Sequence, residues 1–147
     1  MTLLNVLLRD VKVTYRICDD VTEEQCKLFL GDTRNVFLMI HEVLPDDPLV
    51  ALLCRLSGVN TEKSGKMRTA IVASIMLPFE SRLRAKDEEF LVSPNGMFMH
   101  FNKIASDLLA SVWFKLSKEN QKVLWSWIHR ILDRLSVLAE PIPPTER

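Results

Sequence analysis

Two periodicities divide the chain. Val11, Val13, Tyr15 and Ile17 alternate with Lys12, Thr14 and Arg16, the period-two pattern of a half-buried strand. Residues 3–8 are largely apolar and precede it across Arg9-Asp10, so a strand pair and a helix followed by one strand both fit the opening. A hairpin is marginal alone; it must lean on helices or pair with another chain.

From Asp20 onward the spacing is helical. Thr22 with Gln25 three residues on fits a capping box, Glu23 and Glu24 suit the positive end of a helix, and Gly31 is expected to stop it. Asp32 or Thr33 then caps a second helix through Val36, Phe37, Met39, Ile40, Val43 and Leu44, ending at Pro45. Asp47-Pro48 sets an N-cap with proline at the first helical position, followed by Leu49, Leu52, Leu53 and Leu56, with Gly58 beyond the end. Residues 59–66 are polar and read as a surface loop. A longer helix begins near Met67 with Ile71, Ile75 and Met76 on its stripe, and Pro78 kinks or ends it. Ser93-Pro94-Asn95-Gly96 is a turn signal. Phe98, Phe101, Ile104, Ala105, Leu108 and Val112 then keep helical spacing to about Phe114. Ser117 caps a last helix whose buried face is expected to be Leu124, Trp127, Ile128, Ile131, Leu135 and Leu138.

These elements predict a mainly α fold, a compact multi-helix bundle with a short N-terminal β-strand or hairpin. Residues 1–139 form a single helical domain. Residues 140–147 hold three prolines and cannot continue the helix, so they form a Pro-rich extended tail.

Composition narrows the class. At 147 residues, 48% hydrophobic and 26% charged, the chain can bury a core without metal or disulfide staples. Its 4 glycines disfavour a turn-rich sandwich. Lys+Arg and Asp+Glu both number 19; a general nucleic-acid binder needs a basic excess to neutralise phosphates, so nucleic acid is disfavoured as a partner. Near-zero net charge weakens self-repulsion. The longest apolar run, residues 70–79, is about half of the ~20 residues a membrane span requires. Residues 1–8 lack the basic flank and cleavage site of a signal peptide. Cys18, Cys26 and Cys54 lie at no metal-ligand spacing, and read as thiols of an intracellular, reducing compartment.

The motifs that suggest chemistry lack parts that the chemistry needs. Between Gly58 and Gly65 six residues intervene where a phosphate loop has four, and Met67 follows Lys66 where a hydroxyl should hold magnesium. Ser126, His129 and Asp133 share a stripe of the last helix but form a row, with no oxyanion donors; an exposed His129–Asp133 pair is expected instead. The carboxylate pairs at Asp19-Asp20, Glu23-Glu24 and Asp46-Asp47 sit at helix starts, where capping explains them; Glu88-Glu89 reads as solvated. His41, His100 and His129 are scattered. No catalytic residue, metal or cofactor is therefore expected. Arg82, Arg84 and Lys86, with Lys63, Lys66 and Arg68 near them, are the candidate basic patch. Met97 and Met99, beside Phe98 and Phe101, form a soft apolar cluster suited to docking. Trp125 and Trp127 cannot share one helix face. If Trp127 packs inward, Trp125 needs either a second layer with Trp113 or a partner. Trp113, Trp125, Trp127, Met97 and Met99 are thus the candidate partner-binding residues.

Residues 112–128, VWFKLSKENQKVLWSWI, resemble a helix-turn-helix ending found in small proteins of nucleocytoplasmic large DNA viruses, including iridoviruses and their giant relatives. Trp113, Leu116, Ser117, Glu119, Asn120, Lys122, Trp125 and Ile128 match that pattern. Gln121, inserted between Asn120 and Lys122, and Trp127 depart from it. The resemblance covers about a quarter of the chain. It implies a virus-encoded, non-enzymatic protein of the host cytoplasm or virion, binding other viral or host proteins. Self-association through the N-terminal strand is a further expectation.

Overall fold

The computed structural model describes residues 12–48, 50–51, 54, 64–92 and 110–146. Over these the chain is mainly α-helical with one short antiparallel strand pair. Strand β1 (Tyr15–Ile17) leads to helix α1 (Glu23–Val43), then α2 (Gly65–Met76), a 3-10 turn at Leu77–Phe79, and the short helices α3 (Glu80–Arg84) and α4 (Glu88–Val92). Residues 110–115 are helical, and α5 (Lys118–Leu138) runs directly into β2 (Ala139–Pro141).

The strand finds its partner inside the chain. β1 and β2 pair with Arg16 opposite Glu140, and the two side chains form an ion pair at 2.9 Å. Thr14 and Tyr15 N–H groups both donate to the Ser74 hydroxyl of α2, at 3.0 and 3.1 Å. On the far side, the Ala139 N–H donates to Leu135 O and Pro141 has no N–H. Both edges are therefore blunted against a further strand. Of the two settings open to the strand, pairing within the chain or with another copy, the fold uses the first, with the opening residues of the Pro-rich tail as partner. Residues 1–11 lie outside the described residues.

Helix α1 begins as its sequence indicates: Thr22 N–H donates to Gln25 Oε1 at 2.8 Å and Gln25 N–H to Thr22 Oγ1 at 3.1 Å. It does not stop at Gly31. Cys26, Phe29, Val36 and Ile40 keep one continuous buried face across that residue. Their burial outweighs the ~1 kcal/mol that a mid-helix glycine costs. Thr33, expected as a cap, instead donates back to Leu30 O at 2.7 Å, and Asp32 pairs with Arg134 of α5. The chain leaves the helix at Leu44. Asp47 then caps the next helical turn by accepting from Val50 N–H at 3.2 Å.

Ser64 accepts from Met67 N–H at 3.1 Å, so α2 starts two residues earlier than expected and Gly65 and Lys66 belong to the helix, not the loop. Pro78 sits in the 3-10 turn that bends α2 into α3. At the end of α3, Asp87 N–H reaches Arg82 O and Lys86 N–H reaches Leu83 O. This is a Schellman closure, with Lys86 in the left-handed region at φ 56°. Asp87 then caps α4, and Ser117 caps α5.

Among the described residues three apolar clusters lie along α5. Leu135 and Leu138 meet Phe29, Cys26 and Ala73 at the strand end. Trp125 and Leu132 meet Leu83, Phe90, Leu91 and Trp113. Leu124, Trp127 and Ile131 meet Val36, Ile40, Val50, Val112 and Leu116. The expected buried face of α5 is thus joined by a second, Gln121-Trp125-Leu132, spaced four and seven residues apart.

Candidate partner-binding site around the tryptophans

Most residues singled out in the sequence converge on one corner, where α3 and α4 pack against α5. Trp113 and Trp125 are both buried. Their rings meet edge to face, 5.4 Å between centroids at 74°, the arrangement that aromatic quadrupoles favour. Trp113 Nε1–H donates to Glu88 Oε1 at 2.7 Å. Of the two settings open to Trp125, the second layer with Trp113 is the one the fold uses.

The corner is held shape by polar groups that also face inward. Gln121 is buried, and its Nε2 donates to Trp113 O at 3.0 Å and Leu116 O at 3.4 Å. It thereby closes the carbonyl end of the 110–115 helix, where orphan acceptors need donors. The residue that departs from the viral pattern is the one that locks this turn. His129 Nε2 lies 3.0 Å from Leu83 O; a carbonyl only accepts, so Nε2 carries the proton. Asp133 binds Arg84 at 2.8 Å, and Arg84 also binds Glu80 at 3.0 Å. The hydrogen bonds from Asp133, then Glu80, hold the guanidinium still more firmly protonated than usual.

These bonds answer the catalytic readings. Ser126 donates to Lys122 O at 3.2 Å, so neither His129 nor Asp133 addresses it. The expected His129–Asp133 surface pair does not form; each side chain turns to α3 instead. The phosphate-loop candidate is closed too. The Glu23 carboxylate, from the first turn of α1, accepts from Gly65 N–H and from Lys66 N–H at 3.2 Å. It occupies the anion-attracting end of α2 with the protein's own charge. A Cβ on Gly65 would lie 2.7 Å from that carboxylate, so the close approach explains the glycine. Residues 58–63 lie outside the described residues.

The candidate basic patch is not basic in place. Arg84 is neutralised twice, and the Arg82 guanidinium stacks over Phe90 at 4.7 Å. Lys86 stands exposed, yet Arg82, Arg84 and Lys86 share their ten residues with Glu80, Asp87, Glu88 and Glu89. Three cations against four carboxylates leave no local excess of positive charge over these ten residues.

Trp127 is half-buried on the third cluster, with the Arg130 guanidinium 4.8 Å from its ring centroid. Met97 and Met99 lie outside the described residues. Cys18, Cys26 and Cys54 form no disulfide with one another, and the Cys54 thiol donates to Phe37 O at 2.9 Å. Burial pushes all three above the ordinary thiol range, and for Cys18 nearby carboxylates add to it. Among the described residues no group of histidine, cysteine and carboxylate could hold a metal ion, and no helix is long and apolar enough to cross a membrane.

Sequence reasoning passed over Ser74, Gln121 and the second role of Glu23. For two of them a signal existed. Ser74 interrupts the apolar run 70–79, and Gln121 heads the Trp125-Ile128-Leu132-Leu135 stripe. A polar residue on a buried stripe must find a hydrogen-bond partner. The chain matches no protein-family model, no curated protein and no solved structure.

Proposed function

We propose that the chain is a non-enzymatic viral protein of the host cytoplasm or virion that acts through contacts with other proteins, as a minor structural component of the particle. The observation that carries the contact half is a division of labour across the molecule. Trp113 Nε1, Gln121, His129, Asp133 and Arg84 are each bonded inside the fold. Large apolar side chains stand exposed elsewhere, Phe114 and Val137 among them. Exposed apolar surface is what protein association buries. The viral half is supported by the resemblance over residues 112–128 alone.

Quantitative mass spectrometry of purified particles tests the reading. Reproducible recovery from purified particles, at a fixed copy number below that of the shell proteins, is the expected result. Absence from particles removes the virion role and leaves a soluble regulator of host pathways, docking a host helix, as the second reading.

A further inference from the structure

The Pro-rich segment that follows α5 is fixed by its own sequence. Pro141, Pro143 and Pro144 each hold φ near −65°, and each turns the residue before it toward extended ψ. Residues 140, 142 and 143 are therefore extended, and Pro144 then opens a 3-10 turn, Pro144–Glu146. Exposure along the segment repeats every three residues. Pro141 and Pro144 are exposed, whereas Ile142 and Pro143 between them are half-buried. Three residues make one turn of a polyproline II helix, so the two exposed rings lie on one side of the segment. The other side is anchored to β1. The Ile142 N–H donates to Thr14 O at 2.9 Å, and Arg16 holds the Glu140 carboxylate. Pro141 stands opposite Tyr15, between the bonded positions Arg16–Glu140 and Thr14–Ile142. In an antiparallel pair the backbone groups of such a residue point outward, so Pro141 O is directed away from β1.

We infer that Pro141-Ile142-Pro143-Pro144 is a docking segment for the aromatic-lined groove of an SH3-type domain on another protein. Such a groove receives prolines one polyproline turn apart between its aromatic rings. The polar tips of those rings, indole N–H and phenol O–H, donate to carbonyls of the ligand. The segment supplies both parts: two exposed rings at the required spacing and an outward carbonyl beside the first of them. Little ordering entropy is lost on docking, because the prolines and the strand pair already hold the chain extended. Blunting the edge of the sheet accounts for Pro141. It does not call for a second exposed ring three residues on. Two rings and one carbonyl make a small contact, so the affinity is modest, on the order of 10–100 μM.

This docking rests on the reading above, that the chain works through contacts with other proteins, and it names the groove. Titration of a panel of isotope-labelled SH3 domains with the purified full chain tests it. At least one domain should show saturable shifts of its groove tryptophan and tyrosine signals, with Kd at or below about 100 μM. Pro141→Ala with Pro144→Ala should weaken that binding about tenfold or more, the loss of both anchors, while the melting temperature moves little. Pro144 lies outside the strand pair, so Pro144→Ala alone should also weaken binding, with β1 and β2 intact. Thr145→Ala, at the exposed neighbour, should change nothing. Absence of shifts in every domain up to about 1 mM, or binding indifferent to the proline variants, overturns the inference. The particle measurement makes no use of this segment. A chain recovered from particles that binds no SH3 domain therefore loses the docking segment and keeps the proposed function.

Discussion

The tryptophan corner and the outer face of the α1/α5 pair use α5 in opposite ways. In the corner, Trp113, Trp125, Gln121, His129 and Asp133 are all bonded or packed within the chain. On the outer face the residue types are ordinary, yet Leu28 and Val137 are exposed and Gly31 has no local cause. The contrast shows why conspicuous residues mislead. A large aromatic contributes most where it is buried, and its polar tip then needs a partner that the fold must supply. What remains to meet another molecule is the surface whose composition the monomer does not require.

The largest expected effect tests whether the corner is core. Trp125→Ala should cost about 3–5 kcal/mol in urea denaturation, the usual range for emptying a buried aromatic site. Trp113→Phe keeps most of the ring contact but leaves Glu88 without its donor, and should cost about 1–2 kcal/mol. If Trp125→Ala costs less than about 1 kcal/mol, the ring is not held by packing and the partner reading of the corner returns.

Ser74→Ala comes next, and it probes the other closed region. One hydroxyl receives two backbone N–H groups, from Thr14 and Tyr15, and donates to Ala70 O at 2.8 Å. Removing it strands both donors, at about 1–3 kcal/mol. Hydrogen exchange at Thr14 and Tyr15 should accelerate while α5 amides stay protected. Uniform acceleration across the chain would mean that the strand clasp is not a separable unit.

How much of this was legible follows from the distance over which each feature is decided. The capping box at Thr22, the N-cap at Asp47 and the cap at Ser117 lie within three residues of the groups they satisfy, and the sequence announces them. Gly31 as a helix stop failed because a local preference of about 1 kcal/mol competed with a buried face set by α2 and α5. Ser74 meets its strand across sixty positions, and Glu23 meets Gly65 across forty-two; no window of sequence holds both ends. The candidate site failed in a related way. Residue type singled out Trp113 and Trp125 as partner-binding candidates and Arg84 as part of a basic patch, and the fold brings all three to one corner. Type alone does not say whether the partner is another protein or α3 and α4 of the same chain.

The two described glycines sharpen the comparison because they should answer alanine with opposite signs. At Gly65 a methyl meets Glu23 Oε1 at 2.7 Å. The carboxylate must swing away, lose its two N–H donors and forfeit a cap worth about 0.5–1.5 kcal/mol. At Gly31 the methyl enters open space in a right-handed helix, so Gly31→Ala should stabilise the dilute protein by about 0.5–1 kcal/mol. Thermal melts at micromolar concentration read both. If Gly31→Ala destabilises there, the position is already packed within the monomer and the outer face is not free.

The smallest expected effect returns to the corner through Lys86, which is the inverse of Gly31. Lys86 holds φ 56° at the end of α3, a region where a side chain crowds the following carbonyl. The Schellman closure needs that conformation and favours glycine for it. Lys86→Gly should therefore relieve strain, offset in part by the greater freedom of glycine in the unfolded chain, for a net gain of about 0.5 kcal/mol. It also removes an exposed cation of the supposed basic patch. Binding to polyanions should be no weaker in the variant at low salt, because Glu80, Asp87, Glu88 and Glu89 already cancel the local field. Loss of a salt-sensitive gel shift on Lys86→Gly, with stability raised, would show that this lysine serves a phosphate partner. In that case the strain at Lys86 would have a function, and the corner could no longer be described as closed.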